Sequence, residues 1–260
     1  MGTAAALLLT ASIGHAATLD VSITNEQTGS GLYLTPLLTV IHDGGFDAFD
    51  AGSAASAALE DLAEEGRVGM LQAEAGPDAA TGVLISPGGF PGAPVIDPGE
   101  SPSASIDVDP TTQRYFSFFS MVIPSNDSFI GNDNPFAYEL FDAMGTFTGP
   151  LTISVFGGDI WDAGTEVNFE NGSGENAAFA VNGGVDVGED ENGVVALAGN
   201  VDFLFGTDIP TGGSIGSVPG SRTLLATINV DLAPIPLPAG APLLLVGLGA
   251  LGLAKRWRKA

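Results

Sequence analysis

Residues 157–175, "GGDIWDAGTEVNFENGSGE", carry Asp159, Asp162, Glu166, Glu170 and Glu175 with no Lys or Arg among them. Carboxylates at this density have three uses: a general acid/base pair, a cage for a hard cation, or a solvated loop. A catalytic acid needs a raised pKa, usually from apolar burial, and a Gly-rich run of neighbouring acids does not suggest one. Any two acids that the fold brings together would still make a glycosidase-type pair, so that chemistry stays open. Calcium takes six to eight oxygens from carboxylates, amides and backbone carbonyls in flexible loops, which suits this composition better. Histidine and cysteine chemistry is excluded more firmly. The chain has no Cys and two His, His15 and His42, so thiolate nucleophiles and His/Cys zinc sites have no ligand set. His42, in "VIHDGGFDAFDAG", lacks a Gly-x-Ser-x-Gly elbow and reads as a turn or core-edge residue.

Two further acidic stretches bear on a cation site. "DVGEDENGVVALAG" fails the EF-hand template, because setting Gly193 at the sixth position puts Gly188 and Gly199 where the essential acids belong. Asp186, Glu189, Asp190 and Glu191 therefore read as a solvated turn. "PSNDSFIGNDN" (124–134) follows the apolar run "FSFFSMVI", and "WDAGTE" (161–166) follows "LTISVF". Acids at the ends of two strands can converge at one end of a sandwich, and Gly164 lets the backbone turn its carbonyls inward.

The elements that must hold these loops are strands. "LDVSITN", "LTPLLTVI", "YFSFFSMVI", "LTISVF", "VALAGNVDFLF" and "LLATINVDL" are β-branched or aromatic runs, and 37 Gly and 17 Pro punctuate the chain. "VSITN" and "ATINVDL" alternate with period two, as half-buried strands do. The pattern predicts an all-β antiparallel sandwich. One inserted helix is expected at "SAASAALEDLAEEG", which opens on Ser and stops at Gly66. Residues 76–110 and 207–221, rich in Pro, Gly and Ser, read as long exposed connections.

With 31 acidic and 7 basic residues the net charge is −24, and four of the bases lie in the last six residues. A field that negative excludes nucleic acid as a partner of the main domain and attracts cations. The two ends read as sorting segments. Residues 1–17 pair an apolar run with small residues at Gly14, Ala16 and Ala17, the form of a secretory signal peptide. Residues 234–260 run from Pro-rich sequence into the uncharged stretch Ile235 to Ala254 and end in "KRWRKA", which is long enough for a transmembrane helix with a cytoplasmic basic flank. Residues 18–233 are left as one domain outside the membrane. The tail, with Pro236, Leu237, Pro238 and Ala239 at its head, resembles the VPLPA variant of the bacterial PEP-CTERM sorting signals. The resemblance implies an exosortase-type protease as partner and association with extracellular polysaccharide or biofilm.

The domain has a resemblance of its own. "FSFFSMVIPSNDSFIG" with "WDAGTE", and "TPLLTVIHDGGFDAFDAGSAASAALEDLAEEG" before them, are similar to the spondin N-terminal domain, the longer stretch to its bacterial branch. The resemblance spans roughly residues 18–175. It implies an extracellular β-sandwich related to calcium-dependent membrane-targeting domains, non-catalytic, with calcium at one edge. Carried over by position, Asp127, Asp162 and Glu166 become the metal ligands. Asn126, Ser128 and Glu166 depart from the family's Pro, Trp and Asp.

The resulting expectation is an exported calcium-binding surface or matrix adhesion module, anchored by its C-terminal helix or released after sorting. A carbohydrate-active hydrolase with paired carboxylates and a passive matrix protein are the alternatives.

Overall fold

The computed structural model describes residues 16–86, 94–168, 188–209 and 213–234. The signal segment up to residue 15 and the tail from residue 235, sorting motif included, lie outside them. Among the described residues no helix is long and apolar enough to cross a membrane.

In chain order the strands are β1 (Ala17–Asn25), β2 (Tyr33–Leu34), β3 (Leu37–His42), β4 (Ala80–Leu84), β5 (Ser103–Val108), β6 (Tyr115–Ile123), β7 (Ser128–Gly131), β8 (Leu151–Phe156), β9 (Trp161–Asp162), β10 (Ala196–Leu197) and β11 (Leu224–Leu232). They form two antiparallel sheets, ordered β5-β1-β11-β8 and β10-β9-β7-β6-β3-β4, with β2 also paired to β6. The all-β sandwich expected from the sequence is the observed architecture.

The four-stranded sheet has one dry face. Leu19, Val21 and Ile23 of β1 face inward with Ile228 and Val230 of β11, which is the alternation that the pleat imposes. Its outer face is polar: Ser105 Oγ donates to Asp20 Oδ1 at 2.6 Å, and Thr152 Oγ1 to Asn229 Oδ1 at 2.8 Å. The second sheet is dry on both faces at its central strands β3 and β6. Phe116 and Phe118 of β6 fill the space between the sheets, while Leu38, Val40, Phe119 and Phe129 face α1 (Ala57–Glu65). That helix buries Ala58, Leu59, Leu62 and Ala63 against them. Ser56 Oγ accepts from Leu59 N–H at 3.1 Å, an N-cap, and Gly66 ends the helix at φ 65°. A Cβ on Gly66 would stand 2.5 Å from Thr35 Cγ2, so the first and last residues of the 35–66 stretch touch.

Three details differ from the sequence reading. The helix is capped by Ser56 rather than starting at Ser53, and a second short helix, α2 (Gly69–Glu74), follows it. The span 76–110 is not one exposed loop: β4 and β5 lie within it, lending an edge to each sheet. Of "VALAGNVDFLF" only Ala196–Leu197 is strand, and Asp202–Leu204 is a 3-10 turn.

The flanks and ends of the sandwich are unlike. On one flank Gly82 of β4 lies so close under Ile106 of β5 that a Cβ there would collide with its side chain. On the other flank β8 and the end of β7 are separated by a cleft. Both chain ends leave from one end, where Leu19 pairs with Leu232. At the opposite end Asn25 Nδ2 donates to Leu32 O and Ile96 O, and Tyr33 pairs with Ile123. Residues 124–127 continue from Ile123 at that end, after a cis Ile123–Pro124 bond.

Candidate metal centre

Two loops meet at the end away from the chain termini. Ser128 and Phe129 of β7 pair with Asp162 and Trp161 of β9, and Ala163 N–H donates to Asp127 O at 3.2 Å. The predicted residues Asp127 and Asp162 are thereby placed on adjoining turns.

Asp127 is fully buried. Its Oδ2 accepts from Thr165 N–H at 3.0 Å and Glu166 N–H at 3.2 Å. Its Oδ1 is buried and has no hydrogen-bond partner among the described residues, and the same holds for Asn126 Oδ1 and Ser128 Oγ. Asn126 Nδ2 donates to Glu166 O at 3.2 Å and Val167 O at 3.1 Å, so neighbouring side chains grip the same backbone from 165 to 167. Burial, and after it the charge of Asp162, pushes the Asp127 carboxyl up to about 8. The Glu166 and Thr165 N–H groups work against that rise, and Glu191 adds to it.

Asp162 is held by local geometry. Its Oδ1 accepts from Gly164 N–H at 2.8 Å and its Oδ2 from Asn168 Nδ2 at 2.6 Å. Gly164, at φ 67°, cannot be replaced without strain: a Cβ there would stand 2.7 Å from both Val194 N and Val194 O. Its carbonyl accepts from Gly193 N–H at 2.7 Å, and Glu191 N–H donates to Thr165 O at 2.8 Å. Glu166 is also buried, and its Oε1 accepts from Gly188 N–H at 2.9 Å. Its carboxylate is engaged by the 188 segment, whereas the charges acting on Asp127 are those of Asp162 and Glu191.

Among the described residues no three His, Asp or Glu side chains gather closely enough to hold a metal by themselves. A cation here would take Asp127 and Asp162 together with amide and backbone oxygens, a donor set that calcium accepts. The unpaired buried oxygens of Asp127 and Asn126 fit that need, since a buried carboxylate oxygen without a partner is costly. The residues present fit a hard divalent ion.

Glu191 is exposed, as the sequence reading has it, yet its charge reaches Asp127; the burial of Asn126 and Ser128 has no sign in the sequence. Glu191 is 29 residues from Asp162, and only the backbone pairing of 164–167 with 189–193 brings it near. Asp159 is exposed and accepts from Phe156 N–H at 2.8 Å; Glu170 and Glu175 lie outside the described residues.

His42 has no free function. It is buried, its Nδ1 accepts from Gly44 N–H at 3.0 Å, and its Nε2 lies 3.0 Å from Ser117 Oγ. With Nδ1 accepting, the ring proton is on Nε2 and donates to Ser117, so His42 cannot serve as that hydroxyl's base. Burial lowers its pKa to about 4, against the opposing charge of Asp43.

A family model described as Spondin_N matches residues 27–180, well over half of the chain, and the chain belongs to that family. No curated protein matches it.

Proposed function

From that membership we propose that the protein is an exported, non-catalytic binding module stabilised by calcium, acting at a bacterial cell surface or in extracellular matrix. The observation that carries the calcium reading is the buried, unpartnered Oδ1 of Asp127 beside Asp162. Asp127 and Asp162 would hold the ion, with the unpartnered Asn126 Oδ1 as a further oxygen. Glu166 contributes its backbone N–H to Asp127, and its side chain is the weakest of the three ligands expected from the family. Calcium would supply positive charge that lets Asp127 ionise in the interior and ties the 124–128 turn to the 162–166 turn. The surface this shapes lies at the end opposite the chain termini. Export by residues 1–17, and sorting by an exosortase-type protease at Pro236–Ala239 with a membrane helix behind, belong to the same proposal.

The test is the melting temperature of the full chain in chelator and in graded calcium, beside Asp127→Ala and Asp162→Ala. A native-state ligand at a hundredfold excess over its Kd stabilises by about 2.7 kcal/mol. The expected result is a rise of that order in the parent and none in either variant. A parent that melts alike with and without calcium would overturn the calcium reading.

A further inference from the structure

We propose that the cleft on the open flank of the sandwich binds one neutral or amine-bearing sugar residue of a glycan. The cleft encloses about 290 Å³ between the end of β7 and strand β8, near the lower end of small-ligand pockets, about 300 Å³ upward. Its lining combines aromatic side chains with carboxylates and an amide, Trp161, Tyr138, Asp133, Asn134 and Asp159, and Ser154 stands exposed at the rim. Sugars present apolar C–H faces ringed by hydroxyls that both donate and accept, and this mixture matches both parts.

Its aromatic side chains Trp161 and Tyr138 are held from different sides. Trp161 Nε1–H donates to Gly131 O at 3.1 Å, and the ring meets Phe49 edge to face with centroids 5.1 Å apart. Tyr138 packs against Phe118 at 6.2 Å. Rings fixed before binding lose little freedom on binding. The polar groups keep capacity for a ligand: the backbone N–H groups of Ala51, Phe156 and Phe136 engage one oxygen each of Asp133, Asp159 and Asn134. A carboxylate with one oxygen engaged retains acceptor sites on the other. Two carboxylates in a chain of net charge −24 repel uronic acids, sulfated sugars and phosphates. The ligand is therefore neutral or carries an amine.

This inference rests on reading the domain as a binding module and is independent of the calcium centre. The chain has two tryptophans, so the full chain carrying Trp257→Phe leaves Trp161 as the one indole reporter. In a polyoxyethylene detergent, its emission is followed against hexamers of β-1,4-linked glucose, glucosamine and galacturonate. Saturable binding of the glucose or glucosamine hexamer, and none of galacturonate, is expected. Ser154→Phe, at an exposed position on the rim, should weaken it at least tenfold with the melting temperature unchanged, and Asn134→Ala should weaken it as well. Binding that survives both substitutions, binding of galacturonate alone, or no binding of the glucose and glucosamine hexamers would overturn the proposal. The binding-module reading fails separately, if neither parent nor variants are retained on isolated extracellular matrix.

Discussion

β6 and β11 are both nine residues long, yet they live in different surroundings. β11 sits in the four-stranded sheet with polar Asn229 and Asp231 turned to water between buried Ile228 and Val230. β6 is buried along nearly its whole length, since the other sheet covers one face and α1 the other. A strand with one wet face reads as an alternation, and a strand with two dry faces reads as a continuous apolar run. The difference also bears on the candidate metal centre. The acidic centre grows from the turn that follows β6, so its loop is rooted in the most heavily packed strand, and its geometry is inherited from the core.

Four measurements by urea or thermal unfolding would sharpen or break this contrast. The largest effect is expected for Phe119→Ala, whose ring meets Phe46 and Phe49 on the helix-covered face. Truncating a buried Phe costs about 3–5 kcal/mol; a loss below about 1 kcal/mol would mean that α1 does not pack there. Gly164→Ala comes next, at about 3 kcal/mol, because a left-handed φ and the Val194 backbone both oppose a side chain. The third is pH dependence in chelator. The folded state keeps the Asp127 proton up to about 8, whereas the unfolded chain releases it near 3.8, so stability is lost as pH rises across that window. His42 works in reverse, about 4 folded against 6.5 unfolded, so stability is lost as pH falls below 6.5. The two offset each other between about 4 and 6.5. From 6.5 to 8 Asp127 acts alone and costs about 2 kcal/mol. Asp127→Asn should flatten that slope. Smallest is Thr152→Ala on the wet face of the four-stranded sheet, within about 0.5 kcal/mol of the parent. A larger loss there would erase the distinction between the sheets.

How much of this could be read in the sequence followed the same physics. β1 and β11 were legible because a half-wet sheet writes period two into its strands, and β6 because "YFSFFSMVI" is short and rich in aromatic residues. β4 and β5 were hidden inside a Pro- and Gly-rich span. "ATGVL" is only half buried, and its Gly82 is there to let Ile106 come close, a tertiary requirement with no local signal. α2 is six residues long and has no side-chain cap, so the usual start signal is missing. At the candidate site, Asp127 and Asp162 were chosen by family position, and the structure puts them on adjoining turns. Glu191 is exposed as read, but its nearness to Asp127 depends on a backbone pairing between distant segments. The orphaned oxygens of Asn126 and Asp127 exist only after burial, which residue types alone do not record.

The position of β11 within its sheet has a mechanical consequence. It lies between β1 and β8, paired over seven positions with one and six with the other, and it ends at Leu232. A pull on that end enters along the axis of an inner strand. Antiparallel hydrogen bonds run across the strand direction, so the load falls on both ladders together, in shear, rather than peeling an edge one bond at a time. The acidic centre lies at the far end of the sandwich from Leu232. Tension between the two would run the length of the sandwich, along its strands.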